Sequence, residues 1–315
     1  MKAVSSTRRI LITGAGSGIG LETALKLSEN GHTVIAGIRN PDKFKKAWKA
    51  RAGNTPPPFQ ISKFDVTKAT EVNREIKRLL KDGSIDTLIN NAGYGLYGCF
   101  EELPDKQFQE QFDTNLFGIL NVTRALLPAM RAMHAGQIIN VSSILGRVVL
   151  PTGSAYCSSK WAVSGFTRSL RYELSPLGIQ VCAVEPGLIR TAFKENMRVP
   201  AIQESSGNSP GRKRSEKKSL SNPSNRGISR DNHSDYEPFN HMIAAEIKEY
   251  GRFSTPAEKA GRKLSALVER RRLPASYRIG LDAKLVYGAT RLLPESWLDA
   301  ALKLGTKRTY NAAGN

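Results

Sequence analysis

The segment RILITGAGSGIG, residues 9–20, compresses a short apolar run, a glycine-rich turn and the start of a helical pattern into twelve residues. No other stretch constrains the fold as tightly. The apolar run Arg9–Thr13 ends in a turn and reads as a buried strand, and Leu21–Asn30 has the apolar spacing of a helix. Glycines at 14, 18 and 20 let a ligand approach the backbone closely. The following helix N-terminus offers free N–H groups and the positive end of its dipole. Strand, glycine turn and helix in this order are the context that a dinucleotide pyrophosphate requires. The spacing is G-x-x-x-G-x-G, since G-x-G-x-x-G would need glycine at position 19, which is Ile19.

The alternation continues along the chain. His32–Arg39, Phe59–Val66, Ile85–Asn91, Gln137–Ser143 and Ile179–Glu185 read as further strands, with a last one near Tyr277–Ile279. Helical patterns separate them: Asn40-Pro41 to Lys49, Thr67–Leu80, one long stretch from Pro104 to Ala135, and Ser154–Leu174. Short apolar strands alternating with helices imply a parallel sheet covered on both faces. Right-handed crossovers then lead to a doubly wound, Rossmann-like α/β fold of about seven strands. A single domain is expected over 1–315, with a cofactor-binding and catalytic core at 8–192 and substrate-side helices with the last strand at 239–315. Ser254–Glu258 predicts a capped helix start with early proline and acid, and Leu285–Leu304 shows apolar residues at helical spacing.

Between these parts the texture changes. Glu204–Asp235 is rich in Ser, Asn, Gly, Lys and Arg and nearly devoid of apolar residues, so a disordered insertion is expected there. The formal charge of +19 favours anionic partners. No aromatic-interleaved basic strand or zinc pattern accompanies it, which argues against a nucleic-acid reader. Cys99, Cys157 and Cys182 are scattered, as fits a reduced, cytoplasmic protein rather than a disulfide scaffold. No apolar run approaches the roughly 20 residues of a membrane span, although the basic, amphipathic 285–304 segment could rest on a membrane surface.

Two positions carry the chemistry most directly. An acidic residue at the end of the second strand binds ribose hydroxyls, whereas an arginine accommodates a 2′-phosphate. Here Ile38-Arg39 is followed by no acid until Asp42, so NADP(H) is favoured, with NAD(H) as the alternative. Further on, Tyr156 and Lys160 stand four apart in a helical pattern and share a face. Alone, that pair reads equally as a surface turn or as an acid/base couple.

TGAGSGIG, Asp65-Val66, NNAG at 90–93, Asn115, Ser143, Tyr156-x-x-x-Lys160 and EPGLIRT at 185–191 occur in one order. In this the chain resembles the short-chain dehydrogenase/reductase family in its typical, non-extended form, strongly over 8–192. The resemblance implies roles. Tyr156 exchanges a proton with a carbonyl or alcohol oxygen. A free phenol titrates near about 10, and Lys160 together with an oxidised nicotinamide favours its ionised form. Ser143 donates to the substrate oxygen; Ser142, its strand neighbour, faces away. Asn115 holds a water that links Lys160 to solvent. Cys157, Ser158 and Ser159, between tyrosine and lysine, need no catalytic role. For the cofactor the resemblance implies contacts from Gly14, Ser17, Gly18, Ile19, Gly20, Arg39, Asp65, Val66, Asn91, Ala92, Gly93, Tyr156, Lys160, Pro186, Gly187, Ile189 and Thr191, with no metal. Homodimers or homotetramers are implied as well.

Substrate chemistry is less sharply written. Leu96, Tyr97, Leu145, Val148, Val149 and Leu150 lie in the segments after the fourth and fifth strands and are expected to make an apolar pocket lining. The EPG turn, SLRYEL and the tail YRIGLDAKLVYGATRLLP resemble steroid- and retinol-type members, implying a lipophilic carbonyl or alcohol. The alternatives are a 3-ketoacyl-type reductase of acyl chains and a non-catalytic NADP-binding sensor.

Overall fold

A computed structural model describes residues 7–191, 197–198, 235–249 and 254–313. The 204–235 insertion therefore lies almost wholly outside the described residues. Seven strands form one sheet: β1 (Arg9–Thr13), β2 (Thr33–Ile38), β3 (Gln60–Lys63), β4 (Thr87–Asn90), β5 (Gly136–Val141), β6 (Ile179–Pro186) and, after two short strands β7 (Ile189–Arg190) and β8 (Thr255–Pro256), β9 (Ser276–Ile279). Their spatial order is β3-β2-β1-β4-β5-β6-β9. All six pairings within it are parallel. The order reverses between β1 and β4, so the crevice at their carboxyl ends is the natural ligand site of a doubly wound sheet.

Both sheet faces are buried, and strand alternation divides the core between them. Ile10 and Ile12 point to one face, where α1 (Gly18–Glu29), α2 (Pro41–Ala52) and α8 (Ala257–Val268) contribute Leu27, Phe44 and Leu264. Leu11 points to the other, against Ile76 of α3 (Ala69–Lys81), Leu126 of α5 (Gly118–Ala132) and Leu170 of α6 (Ser154–Leu174). This two-sided burial explains why the strands read as nearly continuous apolar runs.

The second face also holds a buried polar ladder. Asn90 and Asn140 are register partners on β4 and β5. Asn90 Nδ2 donates to Asn140 Oδ1 (2.9 Å) and Thr123 Oγ1 (3.0 Å), and Asn140 Nδ2 donates to Thr167 Oγ1 (3.0 Å). Two neighbouring strands are thereby tied to the two helices that cover them.

Several boundaries differ from the sequence expectation for identifiable reasons. The stretch expected as one helix from Pro104 to Ala135 is α4 (Asp105–Phe112), one π-helical turn (Asp113–Phe117) and α5. The 285–304 segment is broken at Leu293-Pro294, because proline cannot continue a helix; α9 is Leu281–Leu292 and α10 is Glu295–Ala313. Before them, α7 spans Glu237–Glu249. The expected cap at Ser254 or Thr255 does not form. Thr255 pairs with Ile189 between β8 and β7, and Pro256 takes the capping position of α8 without a side-chain bond.

Asn140→Leu should destabilise the protein by about 1–3 kcal/mol for each buried partner it strands. Urea unfolding would show this as a lower midpoint with unchanged slope.

Candidate active site

The glycine turn borders a cavity of about 620 Å³ along the carboxyl edge of the sheet. Gly14 has φ +64°, and a Cβ there would lie 2.7 Å from Ala92 Cα, so the turn and the NNAG segment touch backbone to backbone. Ser17 stands at the N-cap of α1 but makes no side-chain capping bond, which leaves the first-turn N–H groups for a ligand. Thr191 closes over this turn, its Cβ 3.1 Å from where a Gly18 Cβ would be. Gly14, Ser17, Gly18, Ile19, Arg39, Asp65, Val66, Asn91, Ala92, Gly93, Pro186, Gly187, Ile189 and Thr191 all line the cavity, as do Ser143, Tyr156 and Lys160. Gly20 and Asn115 stand behind its wall. A Cβ on Gly20 would meet Asn91 Nδ2 at 2.5 Å, so this glycine serves close packing of the turn.

At the carboxyl end of β5, α6 presents Tyr156 and Lys160 to the cavity. The Lys160 Nζ donates to Val141 O (2.9 Å) and sits 5.8 Å from the Tyr156 ring centroid. Its burial pushes the ammonium pKa down from 10.5 to about 8. Tyr156 is itself buried, and the Tyr97 ring lies against it at 5.4 Å between centroids. Ser143 follows β5, and its Oγ accepts from Leu145 N (3.1 Å), so the hydroxyl proton remains to be donated elsewhere. Ser142 turns away, donating to Lys160 O (2.9 Å) and meeting Ser164 Oγ at 2.9 Å. Gly146 lets this loop lie on α6, since a Cβ there would be 2.7 Å from Lys160 O.

Asn115 lies in the π-helical turn and is fully buried. Its Oδ1 accepts from Tyr94 N (3.1 Å), and its Nδ2 donates to Tyr94 O (3.0 Å) and Ser159 Oγ (3.1 Å). Ser159 in turn donates to Tyr156 O (2.7 Å). Ser159, expected to need no catalytic role, is thus a structural pin between Asn115 and α6. A Cβ on Gly93 would fall 3.0 Å from Asn115 Oδ1 and 3.6 Å from Lys160 Nζ, which gives the closeness of this group.

A buried carboxylate fixes the same corner from below. Glu185 accepts from Arg147 Nε (2.8 Å) and Arg278 Nε (3.3 Å), and both guanidiniums lie over the Tyr287 ring of α9. The Ser143 loop, β6, β9 and α9 therefore share one ionic joint. Asp282 of α9 adds a second tie by accepting from Leu188 N (2.6 Å), next to Gly187 of the cavity wall.

The structure adds residues that sequence reading did not single out. Lys43, one turn into α2, lines the cavity beside Arg39, while Asp42 does not and pairs instead with Lys45 (3.8 Å). Tyr94, directly after NNAG, and Arg198 also line it, the guanidinium 4.6 Å above the Tyr94 ring. Burial pushes the Tyr94 phenol pKa up. None of the six residues expected as an apolar lining, Leu96, Tyr97, Leu145, Val148, Val149 and Leu150, borders this cavity, and Leu96 is fully buried in a small core with Leu103 and Ala155. Among the described residues no cluster of His, Cys, Asp or Glu could hold a metal ion.

Comparison with known proteins gives the family and the fold. Residues 8–200 match the short chain dehydrogenase family. A 3-ketodihydrosphingosine reductase of Bacteroides thetaiotaomicron is 38% identical over 194 residues, covering 61% of this chain and 68% of that protein. An uncharacterized oxidoreductase of Bacillus subtilis is 41% identical over 184 residues, covering 58% and 65%. Among solved structures, a short-chain dehydrogenase from Streptomyces avermitilis superposes with a TM-score of 0.71 at 24% identity, covering 98% of both chains. One from Burkholderia cenocepacia in complex with NADP gives 0.65 at 24% identity, covering 94% of this chain and 97% of that one.

The buried lysine has a consequence for stability in the absence of ligand. Between pH 8 and 10.5 the unfolded chain holds a proton at Lys160 that the folded chain has released. Stability at this site therefore rises with pH across that window and is flat below it. Lys160→Met should remove that upward slope, which thermal melts of the two ligand-free proteins from pH 7 to 10 would reveal.

Proposed function

The chain belongs to the short-chain dehydrogenase family, and we propose that it is an NADP(H)-dependent oxidoreductase that interconverts a lipophilic carbonyl compound and its alcohol. The carrying observation is convergence: Ser143, Tyr156 and Lys160 border the same cavity as the glycine turn. The residues fit a dinucleotide, with the uncapped α1 N-terminus and the Gly14 approach suited to a pyrophosphate. Asp65 and Val66 would flank adenine, and Asn91–Gly93 would lie beneath its ribose. Ile189 and Thr191 would meet the carboxamide and phosphates. When bound, the nicotinamide supplies the hydride in reduction and accepts it in oxidation.

The chain's own groups handle the proton and the charge. In reduction the Tyr156 hydroxyl gives its proton to the carbonyl oxygen, and in oxidation the phenolate takes it from the alcohol. Ser143 donates a hydrogen bond to that oxygen as negative charge develops on it. Lys160, with a pKa of about 8, is mainly an ammonium at neutral pH and stabilises the charge left on the tyrosine. Asn115 and Ser159 hold Tyr94 and α6 at a fixed separation, which keeps Tyr156 and Lys160 in place.

Arg39 and Lys43 together support NADP(H) over NAD(H), because two cations border the cavity where a 2′-phosphate would lie, while Asp65, which also borders it, accepts from Thr67 N and Thr67 Oγ1. For the substrate, likeness to a 3-ketodihydrosphingosine reductase supports a long-chain or otherwise lipophilic ketone. Val149 and Leu150, both exposed on the loop after Ser143, would offer it apolar contacts from outside the cavity wall. A screen of ketosphingoid bases, ketoacyl esters, steroids, retinoids and small carbonyls, followed by NADPH consumption, separates these classes. Assembly into a homodimer or homotetramer belongs to the same reading and is measured by sedimentation equilibrium.

Tyr156→Phe should lower turnover on the order of 10²–10⁴-fold while NADPH binding, followed by fluorescence, persists. Near-normal turnover would sink the proton-transfer assignment, and turnover absent from the wild-type protein across the screen would favour a sensor. Arg39→Glu should weaken NADPH at least about tenfold and leave NADH nearly unchanged in parallel titrations. Equal loss for both would remove the 2′-phosphate role.

A further inference from the structure

Fifteen large apolar side chains are exposed among the described residues, and seven of them fall between Leu281 and Leu304. Their placement is regular. On α9, Leu281, Leu285 and Leu292 are 71%, 65% and 84% exposed, and spacings of four and seven put them on one face. The opposite face is committed, since Ala283 is buried and Tyr287 lies under Arg278 and Arg147, and Asp282 on the flank holds Leu188. The outward face is thus set by contacts with the candidate site, not by local preference.

On α10 the arrangement repeats. Tyr310 is engaged inward, its ring 5.2 Å from Phe239 of α7 and its hydroxyl donating to Asp235 O (3.0 Å). Trp297 and Leu304, seven apart on the other side, are 65% and 54% exposed. Exposed cations accompany both stripes: Lys284 and Arg291 border the leucines of α9, and Lys307 with Arg308 follows Leu304 one turn on.

We propose that the outer faces of α9 and α10 form a docking surface for an anionic lipid bilayer. Leucine and tryptophan would enter the headgroup–acyl boundary, with the lysine and arginine heads reaching back to lipid phosphates and carboxylates. Charge selects this occupant over a second copy of the chain. Two such faces in contact would set basic residues against basic residues, on molecules that each carry +19. An anionic surface turns the same residues into attraction. Docking of these faces is peripheral, since α9 and α10 each keep a polar or packed side opposite the apolar stripe, and among the described residues no helix is long and apolar enough to cross a membrane. Because Asp282 and Tyr287 tie α9 to the wall of the cavity, docking brings the cavity beside the bilayer, where a lipophilic carbonyl would dissolve. Only this last step rests on the proposed reaction; docking itself is measured without substrate.

The test is flotation of the full-length protein with phosphatidylcholine vesicles, alone or mixed with phosphatidylserine. Binding is expected on the mixed vesicles, at least about tenfold weaker on neutral ones, and falling with added salt. Leu285→Glu/Trp297→Glu and Lys284→Glu/Arg291→Glu should each lose about tenfold or more, with melting temperature and NADPH binding preserved. Absence of binding to either vesicle, or equal binding to both, would overturn the proposal. So would a change from oligomer to monomer in Leu285→Glu/Trp297→Glu without a vesicle effect, since a second copy would then cover the face. NADPH binding by the same samples keeps failure of docking distinct from failure of the cofactor reading.

Discussion

Parallel pairing throughout the sheet obliges every strand to end on the same edge and every connection to return across a face. That constraint places the turn after β1, the NNAG segment after β4, Ser143 after β5 and Pro186-Gly187 after β6 along one line. Residues far apart in sequence become neighbours without any long-range interaction chosen for the purpose. Register does the rest: Asn90 opposite Asn140 fixes β4 against β5 and ties both to their covering helices, so the loops that leave these strands start from defined heights.

Two parts of the cavity wall are held differently. The glycine turn depends on close backbone approach, where a methyl group would be enough to separate Gly14 from Ala92. The wall that carries the tyrosine depends on buried polar chemistry: a lysine donating to a backbone carbonyl, an asparagine spanning two segments, and a glutamate shared by two arginines. Buried polar groups are costly unless they are hydrogen-bonded and, once satisfied, permit few alternative arrangements. The reacting groups therefore sit where the fold is least able to relax.

Much of this was legible in the sequence, and the exceptions have physical reasons. Apolar periodicity located the strands and α6, because two-sided burial leaves a strong signal. Residues at turns and strand ends were readable because glycine, asparagine and proline have narrow backbone uses. Leu96 misled because an apolar residue in a loop reads the same whether it lines a cavity or fills a small core. Lys43 had a signal in its place one turn beyond Arg39, and Pro294 marked the break between α9 and α10. Ser159 and Arg198 had none, since their roles exist only after α4, α6 and the segment beyond β7 are brought together.

The π-helical turn at Asp113–Phe117 bears on how the chain can vary in length. One residue more than an α-helical path requires is lodged there, and it rotates everything after it by about 100° relative to what precedes. With the turn in place, Asn115 reaches both Tyr94 and Ser159, while Val122, Leu126 and Met130 of α5 fill the core. Removing a single residue would leave a regular helix of better local geometry, yet either the asparagine or the apolar stripe would then face the wrong way. Helix regularity and site geometry are in opposition at this point, and the number of residues between Asp105 and Ala132 is set by the site.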